Sequence, residues 1–221
     1  MPGAKPNPKI IRIFIPLIIL AIFLLSLGII FLPYKSFKQA PPKAKKVAKN
    51  LPLPKNSGCK NSKVYTTTED ALKEKDKPCI LDLSSEGMSK PPSDLGGLLF
   101  LTSLDLSHNR LTEIPGDVTQ MRYISYLDLS YNNIAAVNNV IGLNSLQTLN
   151  LSHNNISTLP AELTFVQSLS DLDISYNNLR SFPQNMKNLI NLKRIIISGN
   201  KFKAEDKTYL RNALPGIQIV N

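Results

Sequence analysis

Side chains able to do chemistry recur in this chain at nearly constant intervals. Asp82, Asp105, Asp128, Asn150 and Asp173 follow one another at 23, 23, 22 and 23 residues, each between two aliphatic residues. Apolar–polar–apolar alternation marks a short half-buried strand, so these polar side chains share one face. Adjacent strands stand about 4.8 Å apart, which lets neighbouring carboxylates share a cation or form an acidic strip that favours basic partners. Three residues further on, a parallel column reads Ser85, His108, Tyr131, His153, Tyr176 and Gly199. Tyr131 and Tyr176, with Tyr126 nearby, are amphipathic rings of the type enriched at interfaces. His108 and His153 are two repeats, or roughly 10 Å, apart, too far to share a metal ion.

Catalytic chemistry finds little support. The chain has two histidines, both at repeat positions, and no serine or cysteine paired with a base by a recognisable motif. Neither G-x-x-x-x-G-K-[ST] nor H-E-x-x-H occurs. No enzyme, cofactor or metal centre is therefore expected. The acidic strip remains as the more plausible use of the aspartates.

These columns belong to a longer frame. Asn109, Asn132, Asn154, Asn177 and Asn200 are spaced 23, 22, 23 and 23 residues apart, in the segments LTSLDLSHNRLTEIP, ISYLDLSYNNIAAVN, LQTLNLSHNNISTLP, LSDLDISYNNLRSFP and LKRIIISGNKF. The frame L-x-x-L-x-L-x-x-N-x-L at this period resembles that of leucine-rich repeat proteins of bacterial type. The resemblance implies an α/β solenoid, with a parallel sheet on the concave side and short helices or turns on the convex side. One turn cannot bury its own apolar face, so such an array is stable only when stacked. It also implies that the five asparagines form a structural ladder, bonding the backbone of adjacent turns with an amide that both donates and accepts. Ligands in this family usually lie on the concave sheet. Carried over, that assigns partner binding to Ser103, Asp105, His108, Tyr126, Asp128, Tyr131, Thr148, Asn150, His153, Asp171, Asp173, Tyr176 and Arg194.

The second half of each repeat has its own spacing. Pro115, Pro160 and Pro183 are followed three residues later by Val118, Leu163 and Met186, then by Met121, Val166 and Leu189. That period predicts a helical turn opened by proline. The second repeat has Asn138 instead of proline and is one residue short, which predicts a local irregularity. An N-terminal cap is expected over 59–79, with a capping box of Thr66 and Glu69 opening a short helix. About six repeats follow over 80–200, the first atypical because Glu86 stands in place of the ladder asparagine. A C-terminal cap over 201–221 is expected to hold a helix with Tyr209, Leu210 and Leu214 at helical spacing, then a strand with Ile217 and Ile219.

The N-terminal part is of a different kind. Residues 1–79 hold 15 Lys+Arg against 4 Asp+Glu, whereas residues 80–221 hold 11 against 12. The repeats are thus nearly neutral, which argues against a phosphate-tracking surface and nucleic-acid binding. After a basic tail, 1–12, the run Ile13–Leu32 is 20 uncharged residues long. As a helix it would cross about 30 Å, the thickness of a bilayer core, so a single transmembrane helix is expected over 13–34. The stretch 35–58 has no acidic residue and seven lysines among its prolines, and reads as an extended linker. Signals of orientation oppose each other. The lysines after the apolar run argue for a cytoplasmic domain. Cys59 and Cys79, the only cysteines, would suit an oxidising compartment if bonded. A bridge closing their ~20-residue loop would contribute roughly 3 kcal/mol. The expectation is a single-pass membrane protein with its repeats outside the cytoplasm, binding a protein or peptide through the sheet. A structural envelope spacer and a glycan receptor are the alternatives.

Overall fold

The computed structural model describes residues 63–74 and 78–221. The basic tail, the apolar run, the lysine-rich linker and Cys59 lie outside them. Among the described residues no helix is long and apolar enough to cross a membrane.

The described chain forms one parallel sheet of eight strands in sequence order. These are β1 (Val64–Tyr65), β2 (Ile80–Asp82), β3 (Ser103–Asp105), β4 (Tyr126–Asp128), β5 (Thr148–Asn150), β6 (Asp171–Asp173), β7 (Arg194–Ile196) and β8 (Gln218–Val220). Six of them are repeat strands, and the outer two extend the sheet into the caps. The register is uniform: Leu81, Leu104, Leu127, Leu149, Leu172 and Ile195 are neighbours in one row. All six are buried, as are Leu106, Leu129, Leu151 and Ile174 in the next inward row. Each turn thus places its leucines against those of its neighbours, and a single core runs through the stack.

On the opposite side the proline-opened segments are 3₁₀ turns rather than α-helices, at Leu95–Gly97, Gly116–Gln120, Ala161–Phe165 and Met186–Asn188. A span of three to five residues suits the tighter 3₁₀ geometry. The buried anchors are those of the spacing, with Val118, Leu163 and Met186 inward. Between β4 and β5, the described residues hold no such turn. There Asn139 sits in the left-handed region at φ 56°, and its Nδ2 donates to the Ile114 carbonyl at 2.9 Å.

The N-terminal cap differs from the expected capping box by one residue. Helix α1 (Thr68–Lys73) is capped by Thr67, whose hydroxyl accepts from the Asp70 amide at 3.1 Å. Thr66 and Glu69 do not form the pair, because the second of three consecutive threonines takes the extended cap conformation. The third, Thr68, is buried and donates to Asp94 Oδ1 at 2.8 Å. Cys79 is buried and disulfide-bonded. Its carbonyl accepts from the amides of Thr102 and Ser103, which ties the start of β2 to the next turn. At the other end, α2 (Ala204–Ala213) buries Leu210, with Leu214 just beyond it, and sets the Tyr209 hydroxyl on the Pro183 carbonyl at 2.9 Å.

Candidate functional site

The ladder asparagines face inward from the turn that ends each strand. Asn132 Nδ2 lies 3.0 Å from the Leu106 carbonyl of the preceding turn, and 3.1 and 3.2 Å from the carbonyls of Leu129 and Ser130 in its own. Its Oδ1 accepts from the Leu111 amide at 2.9 Å. Asn109, Asn154, Asn177 and Asn200 repeat that pattern. All polar atoms of these side chains are used inside the protein, which leaves them nothing to offer a ligand.

The aspartate column faces the other way but is also partly committed. Asp105 Oδ1, Asp128 Oδ1 and Asp173 Oδ1 each accept from the amide two residues on, at 2.9 Å, and Asp82 and Asn150 do the same at 3.1 Å. The second carboxylate oxygen is the one left over. In Asp128 it accepts from the Tyr126 hydroxyl and from Asn150 Nδ2, both at 3.1 Å. In Asp105 it is buried and has no hydrogen-bond partner. Burial, with the negative charges of Asp128 and Asp82 beside it, pushes the Asp105 carboxyl up to about 6. The Tyr126 phenol is likewise raised by burial and the same aspartates. Among the described residues no group of three His, Cys, Asp or Glu side chains is placed to hold a metal ion.

Access to this face changes along the sheet. Ser103, Asp105, Tyr126 and Asp128 are only 3, 4, 7 and 9% exposed. These four, expected to meet a partner, have little surface open to solvent in this structure. Outward alternation decides which face a residue takes, not how exposed it is there. Further on, Thr148, Asn150, Asp171 and Asp173 are half-buried and Arg194 is exposed. Here the sheet carries an open depression of about 190 Å³ lined by Tyr126, Thr148, Asn150, Asp171, Asp173, Arg194 and Ile196. Asp171 and Arg194 are register neighbours on β6 and β7, giving both charges on one wall.

The ring column has a geometry that residue types alone did not reveal. His108, Tyr131, His153 and Tyr176 all lie in the left-handed region, at φ 51–56°. Each donates its amide to the next repeat, to Ser130, Ser152, Ser175 and Ser198 in turn. Their rings form one continuous pile, with centroids 4.2, 4.0 and 4.3 Å apart and planes within 14° of parallel. Gly199 closes the pile, since a Cβ there would lie 2.6 Å from Tyr176 Cδ1. The ring faces are therefore occupied by one another. Tyr131 and Tyr176, 45 and 55% exposed, offer edges and hydroxyls rather than stacking platforms. Partial burial lowers both histidines, the Asp128 and Asp173 charges opposing that shift, which favours neutral rings at pH 7. The recurrence of ring-bearing residues at one repeat position was the signal in the sequence, and the shared left-handed backbone that stacks them was not.

Both the inward ladder and the uniform parallel register follow the repeat period, and comparison with known families agrees. Residues 100–156 and 144–202 match the leucine rich repeat family model. Over those residues the chain is similar to leucine-rich repeats. Among solved structures, a leucine-rich repeat protein of Leptospira interrogans is similar at 28% identity and a TM-score of 0.54, over 65% of this chain and 43% of that one. The chain thus spans less than half the length of that relative. In all, 305 solved chains match, a breadth that identifies a fold and no particular activity. No curated protein matches significantly.

Proposed function

We propose that this chain is a peptide- or protein-binding module whose partner lies on the open C-terminal half of the repeat sheet. The depression between β4 and β7 carries this reading. It combines an aliphatic patch at Ile196, hydrogen-bonding groups on Thr148 and Asn150, and both signs of charge at Asp171 and Arg194. An extended peptide needs that mixture: a side-chain anchor, polar groups for its backbone and a charge pair that sets its direction. The Tyr131 and Tyr176 edges border the same half and extend the contact.

The module sits on a membrane in this reading, held by Ile13–Leu32 and set off from it by the lysine- and proline-rich linker, with the repeats outside the cytoplasm. The length and uncharged character of that run support the anchor. The bonded state of Cys79 supports an oxidising compartment.

Selection of a random peptide library against the full chain tests the binding. Selected peptides should bind the Asp171→Ala and Arg194→Ala variants roughly tenfold more weakly, a loss of about 1.4 kcal/mol, while circular dichroism stays unchanged. Peptides indifferent to both substitutions, or no selected peptide at all, would exclude this face as a peptide site.

A further inference from the structure

Two opposite charges in the open depression stand side by side and do not pair. Asp171 on β6 and Arg194 on β7 are register neighbours, their strands about 4.8 Å apart. Yet among the described residues the ion pairs are Lys63–Glu74 and Lys73–Glu69. Asp171 is engaged locally instead, its Oδ2 accepting from the Ser170 hydroxyl at 2.7 Å. The exposed Arg194 guanidinium is left with all its donors. Two residues along β6, on the same face, Asp173 uses only Oδ1, which takes both the amide and the hydroxyl of Ser175.

The surroundings keep the two signs apart. Thr148 and Asn150, the register neighbours of Asp171 and Asp173 on β5, are uncharged. Gln218 on β8 and Ile196, which flank Arg194 on its other sides, are uncharged too. The face therefore has a negative pole on β6 and a positive pole on β7, with one change of sign between them. In an extended peptide, residues i and i+2 share a face about 6.6 Å apart, a separation that flexible charged side chains close to one strand spacing. A guanidinium offers a carboxylate two parallel hydrogen bonds, and the free oxygens of Asp171 and Asp173 can accept from a cation.

We propose, on the reading of this depression as a peptide site, that the bound segment presents an acidic and a basic side chain two positions apart. The carboxylate lies on Arg194 and the cation on Asp171 and Asp173. Two like charges in those positions would set one of them against its own sign, so the same poles reject a uniformly acidic or uniformly basic segment.

Exchanging the two charges in the full chain, Asp171→Arg with Arg194→Asp, tests the pattern. Peptides selected on the parent chain should carry the pair and bind the exchanged chain roughly tenfold more weakly. The same peptides with their acid and base exchanged should regain the affinity there. As a second readout, a rise from about 0.05 to about 0.5 M salt should weaken binding to the parent several-fold, and to the neutral chain Asp171→Asn, Arg194→Gln far less. Peptides that are blocked by Thr148→Trp yet lack the pair overturn the charge pattern and leave the peptide site standing. So does a loss on the exchanged chain without rescue, or equal salt dependence of the two chains. Failure to select any peptide removes the site and the pattern together.

Discussion

Two columns of polar side chains run the length of the sheet, and they have opposite fates. Each ladder asparagine carries a donor and an acceptor, and the turn uses both: Nδ2 on carbonyls of two successive turns, Oδ1 on an amide of the preceding one. Each outward aspartate can only accept. One oxygen closes a local turn on the amide two residues on, and the other must find a donor from outside its own turn. Asn150 marks the boundary between the two behaviours. Standing in the aspartate column, it makes the same local bond with Oδ1 and then spends Nδ2 on Asp128. The array is held together by the column that can satisfy itself, and unmet hydrogen-bonding capacity is left in the column that cannot.

The largest test of that contrast is to cut the ladder. Asn132→Ala strands the Leu111 amide and the carbonyls that shared Nδ2, all in a buried turn. A loss of about 4 kcal/mol is expected, at ~1–3 kcal/mol for each buried group left unpaired. Urea unfolding measures it. Asp173→Ala removes a half-buried side chain whose bonds stay within its own turn, so about 1 kcal/mol is expected there. Equal losses would mean that both columns are structural in the same sense.

Next comes the unsatisfied carboxyl. Its folded pKa of about 6 lies above the ordinary value of 3.8, so the native state holds the proton more tightly than the unfolded chain. The associated stability is fully present below pH 3.8 and is lost as pH rises through 6. Asp105→Asn, which keeps the acceptor for Ser107 and supplies a donor as Asn150 does, should therefore stabilise the protein at pH 7.5. The gain is at most about 3 kcal/mol and vanishes below pH 4. Thermal unfolding of the variant and the parent chain at pH 4 and 7.5 checks the sign. A gain that is the same at both values would remove the charge from the explanation.

How much of this was legible in the sequence depends on the range of the interaction. The ladder and the inward leucines were, because a fixed period forces every turn into the same backbone and Asn is suited to both ends of its bond. Thr67 as the helix cap was not, since three consecutive threonines offer the same chemistry and tertiary contact with Asp94 decides among them. Val64–Tyr65 is too short for alternation to show; pairing with Ile80–Leu81 makes it a strand. The low exposure of Ser103, Asp105, Tyr126 and Asp128 is a tertiary property that no local pattern encodes. The ring column was visible as a list of residues. Its nature as a closed pile needed the shared left-handed backbone and the 4.0–4.3 Å centroid spacing.

The smallest test concerns two glycines, Gly199 at the last position of the ring column and Gly87 two residues beyond its first. Gly87 and Gly199 have nearly the same backbone, φ 68° and 67°, so an alanine at either meets the left-handed penalty of about 1 kcal/mol. They differ in what a Cβ would meet. At Gly87 nothing lies within 4 Å, whereas at Gly199 the Tyr176 ring lies at 2.6 Å. Gly199→Ala must therefore also displace the last ring of the pile, which adds about 1 kcal/mol. The difference between the two variants isolates the packing of Tyr176 on the turn from the strain of the turn itself. A Tyr176→Ala background should erase that difference, because the ring that the new methyl would strike is gone. If the difference survives, the end of the pile does not rest on Gly199, and the rings are held by their own backbone alone.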